Sequence, residues 1–313
     1  MRGTVMRKAL VCLAVALVVL AVGALAVDTG FAIATERSFA RALMQSRAGD
    51  GESPALRYEP EVTISGLPAI PHILDGHYPA IGITARGVAA TGTATFPHNR
   101  QPHHRRECRS GAPCRVDVRS RLSDVEVAGP HSLTRPFPPS STLAVRSATA
   151  STTLDSVTVG RFLGIDDLTV NTPAPVGTAG GGGPQDGLLS RTSGVLMTGT
   201  VRGPDDREVK VSVTVDLSIR SGELHLEATG FYDGPEEHSA TRVAPEYERS
   251  VLDQFTATLS SLPMAWGTEA TSARSSGSDL MIEGTPHPQI YSPLLFLDAE
   301  SVHWMFTCGG KPC

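Results

Sequence analysis

Residues 59–88 read EPEVTISGLPAIPHILDGHYPAIGITARGV, and the pattern of this stretch decides the fold. Val62 and Ile64 alternate with Thr63 and Ser65, the period of two that a half-buried strand requires. Gly66 and Pro68 stop that strand: proline has no N–H for a ladder, and glycine accepts backbone angles closed to other residues. Leu67, Ile70, Ile73 and Leu74 follow at spacings that place them on one face of a short helix or turn. Asp75-Gly76 signals a turn, after which Ile81, Ile83 and Ala85 resume the alternation. The predicted unit is strand, apolar flap, strand.

Upstream, Ala9–Val27 is a run of 19 uncharged residues preceded by Arg2, Arg7 and Lys8. A basic flank and an apolar run form an export signal, which predicts that the remainder lies outside the cytoplasm. The run is long enough to span a bilayer as a helix, and Ala24-Leu25-Ala26 also fits a small-x-small cleavage site. Residues 1–27 therefore read as a signal anchor or a cleaved signal peptide, the anchor being preferred. Cys12 sits too early in the run for a lipoprotein cysteine. Asp28–Arg47 carries Phe31, Phe39 and Leu43 at spacings close to those of a helix face, and Gly49-Asp50-Gly51 ends that helix.

The chain of 313 residues suffices for one large domain or two modest ones, and a hydrophobic content of 40% supports a real core. The formal charge is −5; removal of Met1–Ala26 leaves 24 basic against 32 acidic residues, or −8. That balance, with aromatics at 5%, disfavours nucleic acid, whose phosphates need clustered Lys and Arg. Four further cysteines fall in two local pairs, Cys108/Cys114 and Cys308/Cys313. In an oxidising compartment three connectivities are open to them, and the spacing favours the two local loops.

Downstream, Thr91–Thr95 predicts a strand, and residues 97–114 an exposed polar insertion without apolar period. Val116 with Val118, and Val125 with Val127, predict two short strands; Leu143, Val145 and Ala148 begin another. Asp155–Leu163 fits a strand by its β-branched residues and a short helix by its context. Residues 171–187 read as a flexible loop. Their four consecutive glycines are no phosphate cradle, since no Gly-Lys-Ser/Thr follows. Gly194–Val201, Arg207–Ile219 and Glu223–Phe231 alternate, with Ser221-Gly222 as a hairpin turn. Tyr247–Leu259 is predicted as a helix with Val251, Leu252, Phe255 and Leu259 as its stripe, and Thr268–Ala273 with Leu280–Glu283 as a last hairpin. Residues 291–313 form a tail holding the second cysteine pair.

Chemical motifs are sparse. No Gly-x-Ser-x-Gly elbow is present, and the adjacent pairs Asp166-Asp167 and Asp205-Asp206 would point apart as helix or strand neighbours, so a role in turns is the expected one. His98, His103, His104 and Cys108 could bind zinc, but Arg105, Arg106 and Arg109 crowd the same stretch with positive charge. Neither a metal nor a catalytic set is expected. Those arginines form a basic block on an acidic protein, fit either for a solvated loop face or for anionic headgroups.

The order of apolar segment, short helix, Val-x-Ile-x-Gly-Leu-Pro at 62–68, Asp-Gly-His-Tyr at 75–78 and Ile-Gly-Ile-Thr-Ala-Arg-Gly-Val at 81–88 resembles the LmeA-like phospholipid-binding proteins of the actinobacterial cell envelope. Leu259–Gly267 running on to Ser278–Gly284 resembles that family's closing segment. The predicted elements form two halves, each of antiparallel strands and an apolar helix, and so amount to an α+β fold over residues 28–290; the resemblance adds curved, mostly antiparallel β-layers packed with a few helices, akin to tubular lipid-binding folds. It implies an apolar groove for acyl chains, walled by Phe31, Phe39, Leu43, Leu67, Ile70, Ile73, Leu74, Val251, Phe255 and Trp266. Arg105, Arg106 and Arg109 are the headgroup candidates. Phospholipid and the plasma membrane are the partners so implied, without cofactor or covalent chemistry, at the outer face of the plasma membrane or in a periplasm-like space. The role implied is assistance to envelope lipid or lipoglycan assembly. An extracytoplasmic enzyme acting on envelope glycolipid, or a scaffold for an envelope glycosyltransferase, is the alternative. The His/Arg-rich insertion and the cysteine-bearing tail are not features that the resemblance supplies.

Overall fold

The computed structural model describes residues 2–45, 56–90, 92–96, 106–107, 114–138, 141–171, 194–203, 207–232, 242–285, 289–297, 307–308 and 311–312. Helix α1 (Arg2–Met44) is continuous from the apolar run into the body of the protein. The quoted stretch then folds as β1 (Glu61–Ser65), α2 (Ala69–Asp75) and β2 (His77–Ala89), with Gly76 in the left-handed region at φ +67° to end α2. Next come β3 (Thr93–Thr95), β4 (Arg106–Glu107), β5 (Arg115–Ala128), β6 (Thr142–Leu154), α3 (Ser156–Leu163) and β7 (Thr169–Asn171). The remaining strands and α-helix are β8 (Gly194–Arg202), β9 (Glu208–Arg220), β10 (Glu223–Phe231), α4 (Pro245–Leu252), β11 (Ala257–Ser260), β12 (Ser272–Ser276), β13 (Asp279–Gly284), β14 (Gln289–Tyr291), β15 (Thr307–Cys308) and β16 (Lys311–Pro312).

Two large antiparallel sheets result, besides a two-stranded ribbon of Thr307–Cys308 and Lys311–Pro312. The first runs β1-β2-β5-β6-β13-β12, with β14 beside β13 on the same edge of β6. The second runs β4-β3-β11-β10-β9-β8-β7. The edge formed by β12 and β13 packs against β7, β8 and β9, so a single apolar core runs through both sheets. The fold is α+β with curled antiparallel layers, as the resemblance implies.

Three local readings change. Where the valines predict two short strands, β5 is one strand of 14 residues. The alternation slips by one inside it: Val116, Val118 and Leu122 are buried, then Val125 and Val127, and Asp124 between them has φ +55°. The same row slips in β2, at Ala80–Ile81, and in β6, between Val145 and Ala148. A slip of one in a period-two pattern reads, from one strand alone, as a break.

Second, Asp155–Leu163 is resolved as helix: the Asp155 side chain caps α3 by accepting from the Thr158 amide at 2.7 Å. Third, the predicted helix Tyr247–Leu259 stops at Leu252, and Ala257–Ser260 is strand β11. The i, i+4 spacing of Val251, Phe255 and Leu259 comes from two elements joined by a turn. Tyr291 and Phe296 pack on the core: Trp266 meets the Tyr291 ring at a tilt and the Phe296 ring edge-on, at 4.8 and 4.9 Å between centres. Its indole N–H donates to the Ser292 carbonyl at 3.0 Å.

Candidate lipid-binding site at the α1–α2 junction

A helix of 43 residues is about 65 Å long, roughly twice the hydrocarbon thickness of a bilayer. α1 divides accordingly. From Leu10 to Val27 its apolar side chains stand exposed, Leu20 at 69% and Val27 at 55%, whereas Asp28 is only 5% exposed. This first part is long and apolar enough to cross a membrane. Beyond Asp28 the helix enters the protein, burying Phe39, Ala40, Ala42 and Leu43. Glu36 accepts the Ile64 amide at 3.0 Å, fixing α1 along β1.

Asp28 makes the junction. α2 begins after Pro68, whose side chain cannot cap, so the first amides of the helix need an outside acceptor. The Asp28 carboxylate supplies it, accepting from Ala69 N at 2.8 Å and Ile70 N at 2.9 Å. At the other end of α2, the Gly76 carbonyl accepts the Val127 amide at 2.8 Å. A Cβ at Gly76 would run into the His131 ring at 2.6 Å.

Behind α2 lies an aromatic cluster. Phe137 packs on Phe39 at 4.6 Å between ring centres and on Tyr78 at 5.2 Å. Tyr78 is 1% exposed, and its hydroxyl has no hydrogen-bond partner among the described residues. Burial pushes its pKa up. An unpartnered buried hydroxyl costs roughly 1–3 kcal/mol.

Of the residues nominated as an apolar wall, Phe39, Leu43, Ile73, Val251, Phe255 and Trp266 are buried in the continuous core, and Phe31 and Ile70 are partly buried. Phe39, Leu43 and Ile73 gather at the junction through α1 and α2, while Val251 and Phe255 belong to the α4 end and Trp266 to the cap under Phe296. Leu67 and Leu74 stand in solvent instead, 75% and 55% exposed. Arg105 and Arg109 lie outside the described residues, and Arg106 is placed only by the backbone of β4. Of the expected cysteine pairs, Cys108 and Cys313 likewise lie outside them, as do His98, His103 and His104. Among the described residues no group of His, Cys, Asp or Glu could hold a metal ion.

Among the described residues, open grooves indent the surface at three places, and the nominated wall residues line none of these three. One, of about 490 Å³, crosses the polar face of the first sheet past Thr63, Arg119, Arg121 and Ser151. A second, of about 640 Å³, separates α4 from β10. The third, of about 730 Å³, runs past Phe96, Ile165 and Asp167. There the turn residue Asp167 accepts from the amide and hydroxyl of Thr200 at 2.6 and 2.8 Å. Its burial would raise its pKa, but these bonds and Lys210 outweigh it, and the carboxyl titrates below its usual range.

Asp28, Glu36, Tyr78 and Phe137 were not singled out in the sequence. Asp28 carried a signal, as the first charge after a long uncharged run; Tyr78 stood inside the Asp-Gly-His-Tyr motif.

A membrane-length helix passing unbroken into two curled antiparallel sheets around one core defines the class: an α+β protein joined to an apolar N-terminal helix. Within that class the chain belongs to the LmeA-like phospholipid-binding family, whose model matches residues 26–285. The match opens at Ala26, where the apolar run gives way to the buried part of α1. No curated protein and no solved structure matches the chain.

Proposed function

We propose that this protein is a non-catalytic phospholipid-binding protein, tethered by α1 to the outer face of the plasma membrane, that receives acyl chains behind α2 and assists envelope lipid or lipoglycan assembly. The family match over residues 26–285 carries the reading. The place is suggested by Tyr78: its unpartnered hydroxyl sits among Phe39 and Phe137, where the ester carbonyl of a lipid would accept from it. Protein side chains fill this site in the lipid-free form, so acyl chains enter by parting α2 and the Phe137 loop from α1. Phe39, Leu43, Ile70 and Ile73 then form the wall, and burial of each methylene contributes about 0.8 kcal/mol. Leu67 lies at the mouth. The arginines of the insertion, Arg105, Arg106 and Arg109, serve the headgroup, and Cys108–Cys114 and Cys308–Cys313 close local loops.

Native mass spectrometry of the purified full chain, followed by lipid extraction, tests the proposal. Phospholipid bound at one copy per chain is expected. Protein recovered free of lipid after exposure to phospholipid vesicles would refute it.

A further inference from the structure

Outside the apolar run of α1, seven large apolar side chains stand exposed among the described residues: Ile33, Tyr58, Leu67, Leu74, Val157, Tyr247 and Ile290. Three of them gather at one end of the first sheet. Leu67 stands two residues before α2, ahead of Pro68, and Leu74 lies in its last turn. Ile290, 52% exposed, lies in β14 opposite Ala144, near the start of β6. That start pairs with the end of β5, Leu143 facing Val127, and the Val127 amide is bound to the end of α2 through the Gly76 carbonyl. Leu67, Leu74 and Ile290 therefore share the edge of the molecule at which α2 sits.

The same edge receives the apolar run. Asp28, the residue directly after Val27, is bound to the first turn of α2, so the run leaves the protein at the level of Leu67. α1 has no break between the exposed run and the buried residues Phe39 and Leu43, and no linker separates membrane segment from body. Polar side chains flank the apolar three on this edge. His77 donates to Asp124, which also binds Arg146, and His131 reaches the Leu74 carbonyl at 3.2 Å. Apolar tips beside a ring of partly exposed polar groups match the boundary between acyl chains and headgroups.

We propose that this edge is a membrane-docking surface. Leu67, Leu74 and Ile290 insert into the interfacial layer of the leaflet from which α1 emerges, so the body is seated on the bilayer with α2 against the lipid. The proposal rests on the anchored reading of α1. It gives the acyl-chain site a direct route to its lipid, since α2 is at once the docked element and the cover of the Tyr78 cluster.

The test uses the full chain in vesicles of phosphatidylethanolamine and phosphatidylglycerol, with an environment-sensitive fluorescent amino acid at position 67, 74, 290, 18 or 278. Lipids with a nitroxide at the shallow end of the acyl chain serve as quencher for 67, 74, 290 and 278, and lipids with a nitroxide near the chain terminus for 18, the midpoint of the apolar run. All five positions are exposed, so the label displaces no packed side chain. Position 278 lies in the β12–β13 turn, beyond the opposite end of β6. Blue-shifted, quenched emission at 67, 74 and 290, with unquenched emission at 278, is the expected result. Quenching at 18 without quenching at 67, 74 and 290 overturns the docking and leaves the anchor standing. No quenching at 18 removes the anchor, and the docking with it. Equal quenching at 278 also overturns the proposal, because the body would then have no preferred edge towards the lipid.

Discussion

The carboxylate of Asp28 binds the backbone amides of Ala69 and Ile70 at 2.8 and 2.9 Å, which makes a residue of α1 the cap of α2. The helix whose first part is membrane-length therefore also holds the start of the flap. With Asp28 only 5% exposed, few waters are available to replace the carboxylate.

Asp28→Ala is expected to destabilise the protein by about 1–2 kcal/mol, the range for loss of a helix cap. The loss should be local. Hydrogen exchange at the amides of 69–75 should accelerate in the variant, while those of β9 and β10 keep their protection. Uniform acceleration across both sheets would show that Asp28 supports the whole fold rather than the flap.

Tyr78→Phe separates stability from binding. Removing a buried hydroxyl that has no partner should leave the lipid-free protein at least as stable, with a gain of up to about 1 kcal/mol. Under the proposed binding mode, lipid retained in native mass spectra should fall, because the hydroxyl proposed to donate to the ester carbonyl is gone. A destabilised variant with unchanged lipid content would contradict both halves.

Gly160 allows α3 to close on the loop before β7. A Cβ there would collide with the Ile165 carbonyl oxygen and lie 3.0 Å from the Leu168 Cβ, neither of which is a free side-chain end. Gly160→Ala should therefore cost about 1–3 kcal/mol despite the better helix propensity of alanine. Urea denaturation measures it; an unchanged midpoint would mean that α3 can shift without loss.

The ion pair between Arg274 and Glu283 joins β12 to β13 at 3.0 Å. The Arg274 hydrogen bond holds the Glu283 carboxyl below its ordinary value of 4.5, against a smaller opposing effect of burial. A depressed folded pKa stabilises the protein fully above the unfolded value, and that contribution disappears as the pH falls through the folded one. With side chains 40% and 42% exposed, the effect is at the low end for such pairs. Denaturation midpoints of wild type and Glu283→Gln should converge as the pH is lowered below 4.5. Midpoints that stay equally far apart across that range would assign the pair no part in acid sensitivity.

Local signals were read well where one strand or one turn carried them. The flap between β1 and β2 and the hairpin at Ser221-Gly222 follow from period and turn chemistry; Ser221 and Gly222 adopt φ +51° and +75°. Signals spread over two elements misled. Phe255 and Leu259 continue the helical spacing of Val251, yet Leu259 lies in β11, where it pairs with Leu224 of β10 and Ala94 of β3. Those partners are distant in sequence, and only their presence makes a strand more favourable than another turn of helix. In β5 the slip at Asp124 hid a continuous strand, because the neighbouring strands slip with it and a single strand does not show that.

The sequence by itself determined the apolar run and its basic flank, the α+β class, most strand positions and the family. Each of these depends on residue types at short spacing, which local backbone geometry converts directly into structure. Only the tertiary structure decided that Asp28 caps α2, that Tyr78 is buried without a partner, and that Leu67 and Leu74 face outward while Ile73 faces in. An apolar residue at the right period must find a covered face, but which surface covers it, or leaves it open, depends on elements that meet only when the chain has folded.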